Sequence, residues 1–569
     1  MSAPRAARPA RAVATTAVTE PPWVATVALL ACVALALWMQ RRCLGEFFAP
    51  DDLISLERAR GLVPPYPVPF WRVLSGSGYF ALALRVFGTD PYRYHLTSLL
   101  VHALNVTLLF LLARHWSRRT VVGALAAGLF ATSRLYTTAL LQVVGMEELL
   151  ALGFTLLALR LFDPRSPWRM TVACVAFAAA LLSKESVLLI PLVLALPLAP
   201  TVSWRRRLVG VAAMLAVSAV YLGAFVTARG GMSVSGGIAY ETHYGVNLFH
   251  NLMTYLSWMS NLGDPIPDLL GRVITTAWPQ GLLAAGVLMA LGAAAWRDPT
   301  LVVAGFAWFG LALVPVLAYL HHSYLHYLYP ALPGITLAIG RSCDALGTWV
   351  TSRESTPGSA PGRDRERAIW ALAIMLVVVH ATISERVTAR RWATMIPGTE
   401  LAADPALRKC QMARHVVDSL DPSIVGRRTR LVFFAPPEAS TAVNAATGQG
   451  IQDAADSGIP NLLVAVLDEG RALRALRPQV DSVAFVPRWS PAYRDFDLVA
   501  TTLDGFAVNF GRGSEAPLRL ARALFESGNA NLALGVLDAA IPVYPEDPGL
   551  ADARARLVAV LARRTGAAR

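Results

Sequence analysis

Charge is scarce in this chain: of its 569 residues only 16% are Asp, Glu, Lys or Arg, while 55% are hydrophobic. Soluble domains average about 25% charged and about 45–50% apolar residues, so a single water-soluble globule is excluded. Lysine is nearly missing. It occurs only at Lys184 and Lys409, and the net charge of +13 is carried by arginine. Cysteine is sparse too. Cys32, Cys43, Cys174, Cys343 and Cys410 form no CxxC pair and no metal-ligand spacing, so neither a zinc site nor a disulfide framework is indicated, a Cys43–Cys410 bridge being the one conceivable pairing. With 41 Gly and 37 Pro the chain is neither collagen-like nor a low-complexity polymer. The apolar excess calls for a bilayer.

The first apolar run, Trp23 to Gln40, follows Arg5, Arg8 and Arg11 and has the length a hydrocarbon core demands, which reads as a retained anchor rather than a cleaved signal peptide. Further spans are expected at His95 to Ala113, Val121 to Leu140, Glu148 to Phe162, Met170 to Leu182, Val187 to Leu198, Leu208 to Thr227, Ile274 to Ala295, Leu301 to Tyr319, Tyr327 to Trp349 and Ile369 to Ile383. That makes about eleven crossings. Arginines gather in alternate loops, at Arg114 to Arg119, Arg165 to Arg169, Arg205 to Arg207, Arg297 and Arg353 to Arg367, with Trp116, Trp168, Trp204, Trp296 and Trp370 beside them. Both features mark cytoplasmic membrane boundaries. Asn247 to Met259 is shorter and carries His250 and Asn251, so it reads as re-entrant or interfacial. Met170 to Leu198 reads as a tight hairpin with Lys184 and Glu185 at its outer tip. The expected class is a polytopic α-helical membrane protein. An arm (1–22) lies inside, a membrane domain (23–386) carries a long outer loop (41–93), and everything after Arg386 lies outside.

From about Ser384 the composition becomes that of a soluble domain. An amphipathic helix is expected over Pro405 to Leu420 and strands at Leu431 to Phe434, Leu462 to Val466 and Val483 to Val486, giving a small α/β region over 387–513. Beyond it, over 514–569, Leu520, Ala521, Leu524, Gly528, Ala533, Leu537, Ala540 and Pro545 follow the register of a tetratricopeptide hairpin, or of an ordinary helical hairpin. One such unit cannot bury its own face, so it is expected to pack on the α/β region.

The outer loop holds two adjacent acids, Asp51 and Asp52, among Phe47, Phe48 and Pro50. A carboxylate there could act as general base toward an acceptor hydroxyl or hold a metal; equally, the pair could cap the helix starting near Leu53. Three further segments follow in order: Asp90 to His115, Gly145 to Phe154 and Ala180 to Leu194. Over Phe47 to Pro200 this ordered series resembles the GT-C class of membrane glycosyltransferases, and within it the dolichyl-phosphate-mannose-dependent protein O-mannosyltransferases and their tetratricopeptide-bearing relatives. The resemblance implies transfer of a sugar, mannose by analogy, from a polyprenyl-phosphate donor to a protein or glycan acceptor on the outer face. It implies catalysis by Asp51 or Asp52, with Asp51 favoured. Glu147 with Glu148, and Lys184 with Glu185, become substrate-binding positions, and a cation such as Lys184 or Arg72 at the outer boundary suits a lipid phosphate. A divalent metal is a conceivable cofactor. Thr132 to Ala139 and Met146 depart from the family's pattern, which keeps a catalytically inactive scaffold open as an alternative.

A second polar group, His321, His322, Ser323, Tyr324, His326, Tyr327 and Tyr329, lies at the outer end of a span. Adjacent histidines cannot share one face of a regular helix, so His322, Tyr324 and His326 are read as sugar or phosphate contacts before a metal site. His95, His102 and Asn105 share one helical face, which suits helix packing. A lipid-linked sugar transporter or flippase is the remaining rival. Membrane lipids, and a protein partner for the tail, are the other expected partners. Nucleic acid is not, because topology accounts for the arginines. The arginine-rich, lysine-poor composition points to a bacterial inner membrane with the tail in the periplasm.

Overall fold

The computed structural model describes residues 21–198, 202–230, 241–259, 278–320, 324–353, 361–424, 428–434, 459–486, 490–502 and 504–566. Its membrane part is a helical assembly. Helix α1 (Pro22–Met39) opens with proline at its first turn and spans about 27 Å at 1.5 Å per residue, close to a hydrocarbon core. The long outer loop folds into α2 (Pro50–Ala59) and α3 (Tyr79–Phe87). Helix α4 (Pro91–Ser117) is capped by Asp90, whose carboxylate accepts from the Tyr92 amide at 3.1 Å. Then come α5 (Thr120–Ala131), the short α6 (Thr137–Leu141), α7 (Met146–Leu161), α8 (Pro167–Ser183), α9 (Trp204–Arg229), α10 (Val246–Met259), α11 (Trp278–Ala294), α12 (Thr300–Leu317), α13 (Leu332–Arg353) and α14 (Pro361–Ala393). By length and composition, α1, α4, α9, α12 and the Glu366–Ala393 part of α14 could each cross a membrane alone. Of the other expected spans, Tyr327 to Trp349 falls largely on the 22-residue α13, and the rest are shorter helices or irregular segments.

Two expected spans are not continuous helices. Val121 to Leu140 breaks at Ala131 because two polar residues follow: the Thr132 hydroxyl lies 2.7 Å from His380 Nδ1, the Ser133 hydroxyl accepts from the Leu135 amide, and the Ser133 carbonyl accepts from Gln40. The chain then forms tight turns and α6. Val187 to Leu198 also forms no α-helix. Pro191 and Pro197 each remove a backbone donor, and the segment folds into tight turns at Glu185–Val187 and Ile190–Ala195. The predicted hairpin therefore has one helical arm, α8, with Lys184 still at its tip. Asn247 to Met259 lies in the 14-residue helix α10, whose start is held at the end of α12, where Asn251 donates to the Leu317 and Tyr319 carbonyls at 2.8 and 2.7 Å.

The loops before α5 and α12, with the first turns of α14, meet α13. Arg119, before α5, reaches Asp344 of α13 at 3.2 Å and Glu366 of α14 at 3.1 Å, and Arg341 bridges Asp344 and Asp298 at 2.9 and 3.0 Å. Where α12 crosses α13, Gly305 and Gly334 face each other, and a Cβ on either would strike the other's carbonyl oxygen. Small residues allow this close approach. The buried His102, Asn105 and Tyr329 share a hydrogen-bond network, with His102 Nδ1 2.9 Å and Asn105 Nδ2 3.0 Å from the Tyr329 hydroxyl. As expected, that face of α4 serves packing.

Outside the membrane part, α15 (Pro405–Ile424) leads into a sheet of β1 (Thr429–Phe434), β2 (Val480–Val486), β3 (Asp497–Thr501) and β4 (Ala507–Gly511), ordered β2-β1-β3-β4. Strand β1 runs parallel to both neighbours and β4 antiparallel to β3. The expected strand at Leu462 to Val466 is instead helical, as α16 (Ile459–Val466), because short apolar runs do not by themselves separate strand from helix. Next comes α17 (Arg471–Leu476). Successive residues of β1 serve two cores: Leu431 and Phe433 join Leu407, Val416 and Leu463, whereas Val432 joins Leu520, Ala533 and Leu537. The latter belong to α18 (Glu515–Glu526) and α19 (Ala530–Ala540), followed by α20 (Pro548–Gly566). The tail therefore packs on the sheet, and the segments 387–513 and 514–569 share a core. Each large side chain withdrawn from water there contributes roughly 1.5–3 kcal/mol.

Candidate functional site

The site begins in the first turn of α2. Ala49 precedes the helix, Pro50 fixes its first residue, and the two acids follow with different environments. Asp52 is fully buried. Its Oδ2 accepts from the Ala49 amide at 2.8 Å and its Oδ1 from the Val144 amide at 2.6 Å. Burial pushes its carboxyl up to about 7 in spite of these donors. Asp52 thus caps α2 and ties it to the turn before α7. Asp51 remains exposed to solvent. Its carboxyl is nonetheless raised, first by desolvation and then by Glu147, while Lys409 opposes the shift. The capping reading of the acidic pair describes Asp52.

Gly145 sets the register of the next element, since a Cβ there would run into the Ala139 carbonyl. Met146 then starts α7, which presents Glu147 and Glu148 in its first turn. From the outer loop comes Arg72, whose backbone is left-handed at φ 52°, a conformation uncommon for a non-glycine residue and kept only where surroundings enforce it. Its guanidinium spans two carboxylates, Glu147 Oε2 at 2.6 Å and Glu185 Oε1 at 2.9 Å. Lys184, at the end of α8, lies 2.8 Å from Glu148 Oε1 and 3.5 Å from Glu147 Oε2. The Ser186 hydroxyl donates to Glu148 Oε2 at 3.3 Å. Arg72 and Lys184 together hold Glu185 down to about 2 against the effect of its own burial. Two cations face three glutamates. Neither stands open to a phosphate, as the reading of Arg72 and Lys184 as phosphate holders would require.

Aromatic rings enclose this network. Trp71 donates to Glu185 Oε2 at 3.3 Å and packs edge-on against Tyr66 and Phe225, while Phe70 meets Tyr221. Lys184 Nζ stands 5.7 Å from the Tyr327 ring. Tyr327 touches His326, which stacks on Tyr324. Tyr324 and His326 thus adjoin the charged network through Tyr327; His322 lies outside the described residues. Among the described residues no group of three or more His, Cys, Asp or Glu could hold a metal ion, and all five cysteines are free, Cys43 and Cys410 included. An apolar recess of about 540 Å³ between α8 and α9, lined by Met170, Cys174, Val209, Gly210 and Val217, lies toward the other end of α8 from Lys184. It is separate from the site.

Of the sequence-predicted residues, Arg72, Glu147, Glu148, Lys184 and Glu185 are brought into one connected network. Asp52 is tied to the turn before α7 through the Val144 amide, and the charge of Glu147 acts on Asp51. Sequence reasoning missed Tyr66, Trp71 and Tyr221, and also Lys409. The rarity of lysine singled out Lys184, and the same signal marks Lys409.

No family model matches this chain, nor does any curated protein. It is similar to the solved structure of the arabinofuranosyltransferase AftD from Mycobacteria, at 16% identity and a TM-score of 0.39, over 73% of this chain and 30% of that one. This chain thus spans less than a third of the length of AftD. It is also similar to ArnT from Cupriavidus metallidurans bound to undecaprenyl phosphate, at 14% identity and a TM-score of 0.39, over 84% of this chain and 93% of that one. A third is the oligosaccharyltransferase of Archaeoglobus fulgidus tethered with an acceptor peptide, at 12% identity and a TM-score of 0.38, over 75% and 63%. Similarity at this level carries no residue role over to the chain.

Proposed function

We propose that the chain is a GT-C-type integral-membrane glycosyltransferase that moves a sugar from a polyprenyl-phosphate carrier to an acceptor hydroxyl on the extracytoplasmic face. The observation that carries the reading is the division of labour at α2. Asp52 is consumed by two backbone amides, leaving Asp51 as a solvent-reachable carboxylate that feels the charge of Glu147, a member of the cation-carboxylate network. Asp51 would take the proton of the acceptor hydroxyl as that oxygen attacks the anomeric carbon, and the carrier phosphate would leave from the opposite side. One such displacement inverts the anomeric centre. The departing phosphate needs positive charge, and Arg72 and Lys184 are the cations at hand. Each would exchange a glutamate contact for phosphate, a step the shared Glu147 makes cheaper because it already divides between them.

Mannose as the sugar, a protein as the acceptor and a bacterial inner membrane as the setting are the finer parts of the same proposal. The helices α18 to α20 are proposed as tetratricopeptide-like and as the surface for a protein partner. A second reading is favoured by one observation: two cations against three glutamates give a network with net negative charge, which suits a GT-C-like scaffold without phosphate chemistry. The experiment that separates them uses the purified protein in liposomes with undecaprenyl-phosphate-mannose as probe. Release of undecaprenyl phosphate by the wild type and not by Asp51→Asn supports the transferase. No release from this or other hexose-phosphate carriers by the wild type supports the scaffold.

A further inference from the structure

The apolar recess of about 540 Å³ between α8 and α9 opens outward. Its walls include Val175 and Val209, which are 64% and 70% exposed although both are apolar. Helix α9 is long and apolar enough to cross a membrane, so what meets this face is hydrocarbon. The lining residues follow helical spacing on each wall. On α9 they include Val209, Ala213 and Val217, and one turn earlier the same stripe reaches Arg206. On α8 they include Thr171, Val175 and Ala178, and one turn earlier the stripe reaches the exposed Trp168. The Thr171 hydroxyl is turned back to the Pro167 carbonyl at 3.0 Å, so this wall is apolar too. Gly210 brings the starts of both helices to the same end: a Cβ there would stand 2.9 Å from both Phe162 and Pro164, in the turn before α8. Asp163, between those two residues in the chain, is thereby seated beside α9. Arg165 and Arg169 share its carboxylate at 3.0 Å each. Arg205 and Arg206 are exposed and have no ion pair among the described residues. Four arginines against one aspartate leave this end of the groove strongly positive.

We propose that the groove is a binding site for one anionic diacyl phospholipid, with its phosphate at Arg206 and the Asp163 turn and one acyl chain along the apolar stripe. Depth selects the chain. From Arg206 to Val217 the stripe runs about 16 Å at 1.5 Å per residue, half of a hydrocarbon core about 30 Å thick, which is the reach of a lipid confined to one leaflet. Charge selects the headgroup. A zwitterionic headgroup brings its own cation, which the surplus of arginine repels, whereas basic pockets between membrane helices hold anionic ones and the arginine fork suits phosphate. Trp168 then stands at headgroup level, where interfacial tryptophans gather. The polyprenyl carrier of the transferase reading has a different place, because its phosphate belongs with Lys184 at the other end of α8, about 25 Å away at 1.5 Å per residue. The site does not rest on that reading.

The test uses the full-length protein in detergent, delipidated and then titrated with dioleoyl-phosphatidylglycerol or dioleoyl-phosphatidylcholine, the tightest-bound lipid being followed by native mass spectrometry. The wild type is expected to take up phosphatidylglycerol in preference to phosphatidylcholine. Arg206→Gln should weaken phosphatidylglycerol binding about fivefold, the equivalent of about 1 kcal/mol per arginine, and Arg206→Lys should keep it. Ala213→Trp, which fills the groove and leaves every arginine in place, should weaken it as well. Thermal unfolding shows that each variant is folded, and if Ala213→Trp unfolds, Ala213→Leu takes its place. Equal affinity for the two lipids overturns the inference, and so does phosphatidylglycerol binding that neither Arg206→Gln nor the Ala213 variant moves. Undecaprenyl phosphate is the third probe. If it displaces phosphatidylglycerol from the wild type and its own binding falls in both variants, the groove belongs to the carrier and the inference is overturned, while sugar transfer by the wild type would still uphold the transferase reading.

Discussion

Asp52 and the amide of Val144 lie 92 residues apart in the chain and meet at 2.6 Å. This bond, together with the one from the Ala49 amide, makes Asp52 the peg that fixes α2 against the turn leading into α7. Asp52→Ala leaves the buried Ala49 amide and the half-buried Val144 amide without their acceptor, at on the order of 1–3 kcal/mol for the buried one and less for the other. It is expected to lower the thermal unfolding midpoint measurably in detergent, whereas Asp51→Ala, at an exposed carboxylate, leaves the midpoint nearly unchanged. Equal losses for the two variants would contradict the division of roles.

Lys184 neutralises Glu148, whose side chain is 1% exposed, and shares Glu147 with Arg72. Removing one partner of a buried ion pair costs about 3–5 kcal/mol because the other charge remains buried. Lys184→Met should destabilise the protein on that scale, and Lys184→Met combined with Glu148→Gln should recover part of the loss. Unfolding followed by tryptophan fluorescence measures both. A double variant no better than the single one would show that the pair is not the source.

The carboxyl of Asp51 is raised from its ordinary value of 3.8, chiefly by desolvation and next by Glu147. A general base works only when ionised. Transfer is therefore expected to rise with pH through a midpoint above 3.8 and to be lost on acidification earlier than for an unperturbed aspartate. Glu147→Gln removes a like charge and should move that midpoint down. A rate independent of pH to below 4 would mean that Asp51 is not the base, as an ordinary aspartate still titrates there.

Glu57, buried against Asp468 and Arg471, has its carboxyl pushed up to about 9, first by burial and then by Asp468. Between its ordinary value of 4.5 and about 9 the folded chain holds a proton there that the unfolded chain has lost. Stability must then fall as pH rises through this window and level off above it, by at most about 1.4 kcal/mol per pH unit from this group. Glu57→Gln mimics the protonated acid, so its stability should be flatter from pH 5 to 9, a window drawn from the linkage relation. Parallel stability profiles for wild type and variant would refute the assignment.

Much of the site was legible because the chain writes its outer-face chemistry in a charge-poor background. Glu147, Glu148, Lys184 and Glu185 stand out among apolar helices, and Arg72 follows aromatic residues in the one long outer loop. What could not be read was partnership. Periodicity says that Lys184 lies at the end of α8, but not that Glu148 and Glu147 already occupy it. The division of Asp51 from Asp52 depends on the Val144 amide, a backbone group that no side-chain pattern records. Among the fold elements, Val121 to Leu140 and Val187 to Leu198 read as spans by hydropathy alone. Thr132, Ser133, Pro191 and Pro197, small in any hydropathy average, decide the backbone there. The sheet was legible in β1, whose continuous apolar run suits a strand covered on both faces. Leu462 to Val466, equally apolar, turned helical because Leu463, Val466 and Leu467 bury one helical face.

The central claim is that Asp51 is the base of a lipid-phosphate sugar transferase. Its most direct test is the release of undecaprenyl phosphate from undecaprenyl-phosphate-mannose in proteoliposomes by the wild type and by Asp51→Asn, with insertion of both checked by protease protection. The account predicts release by the wild type and a loss of at least about a hundredfold in the variant, the lower range for a general base. Release at the wild-type rate by a correctly inserted Asp51→Asn would contradict it.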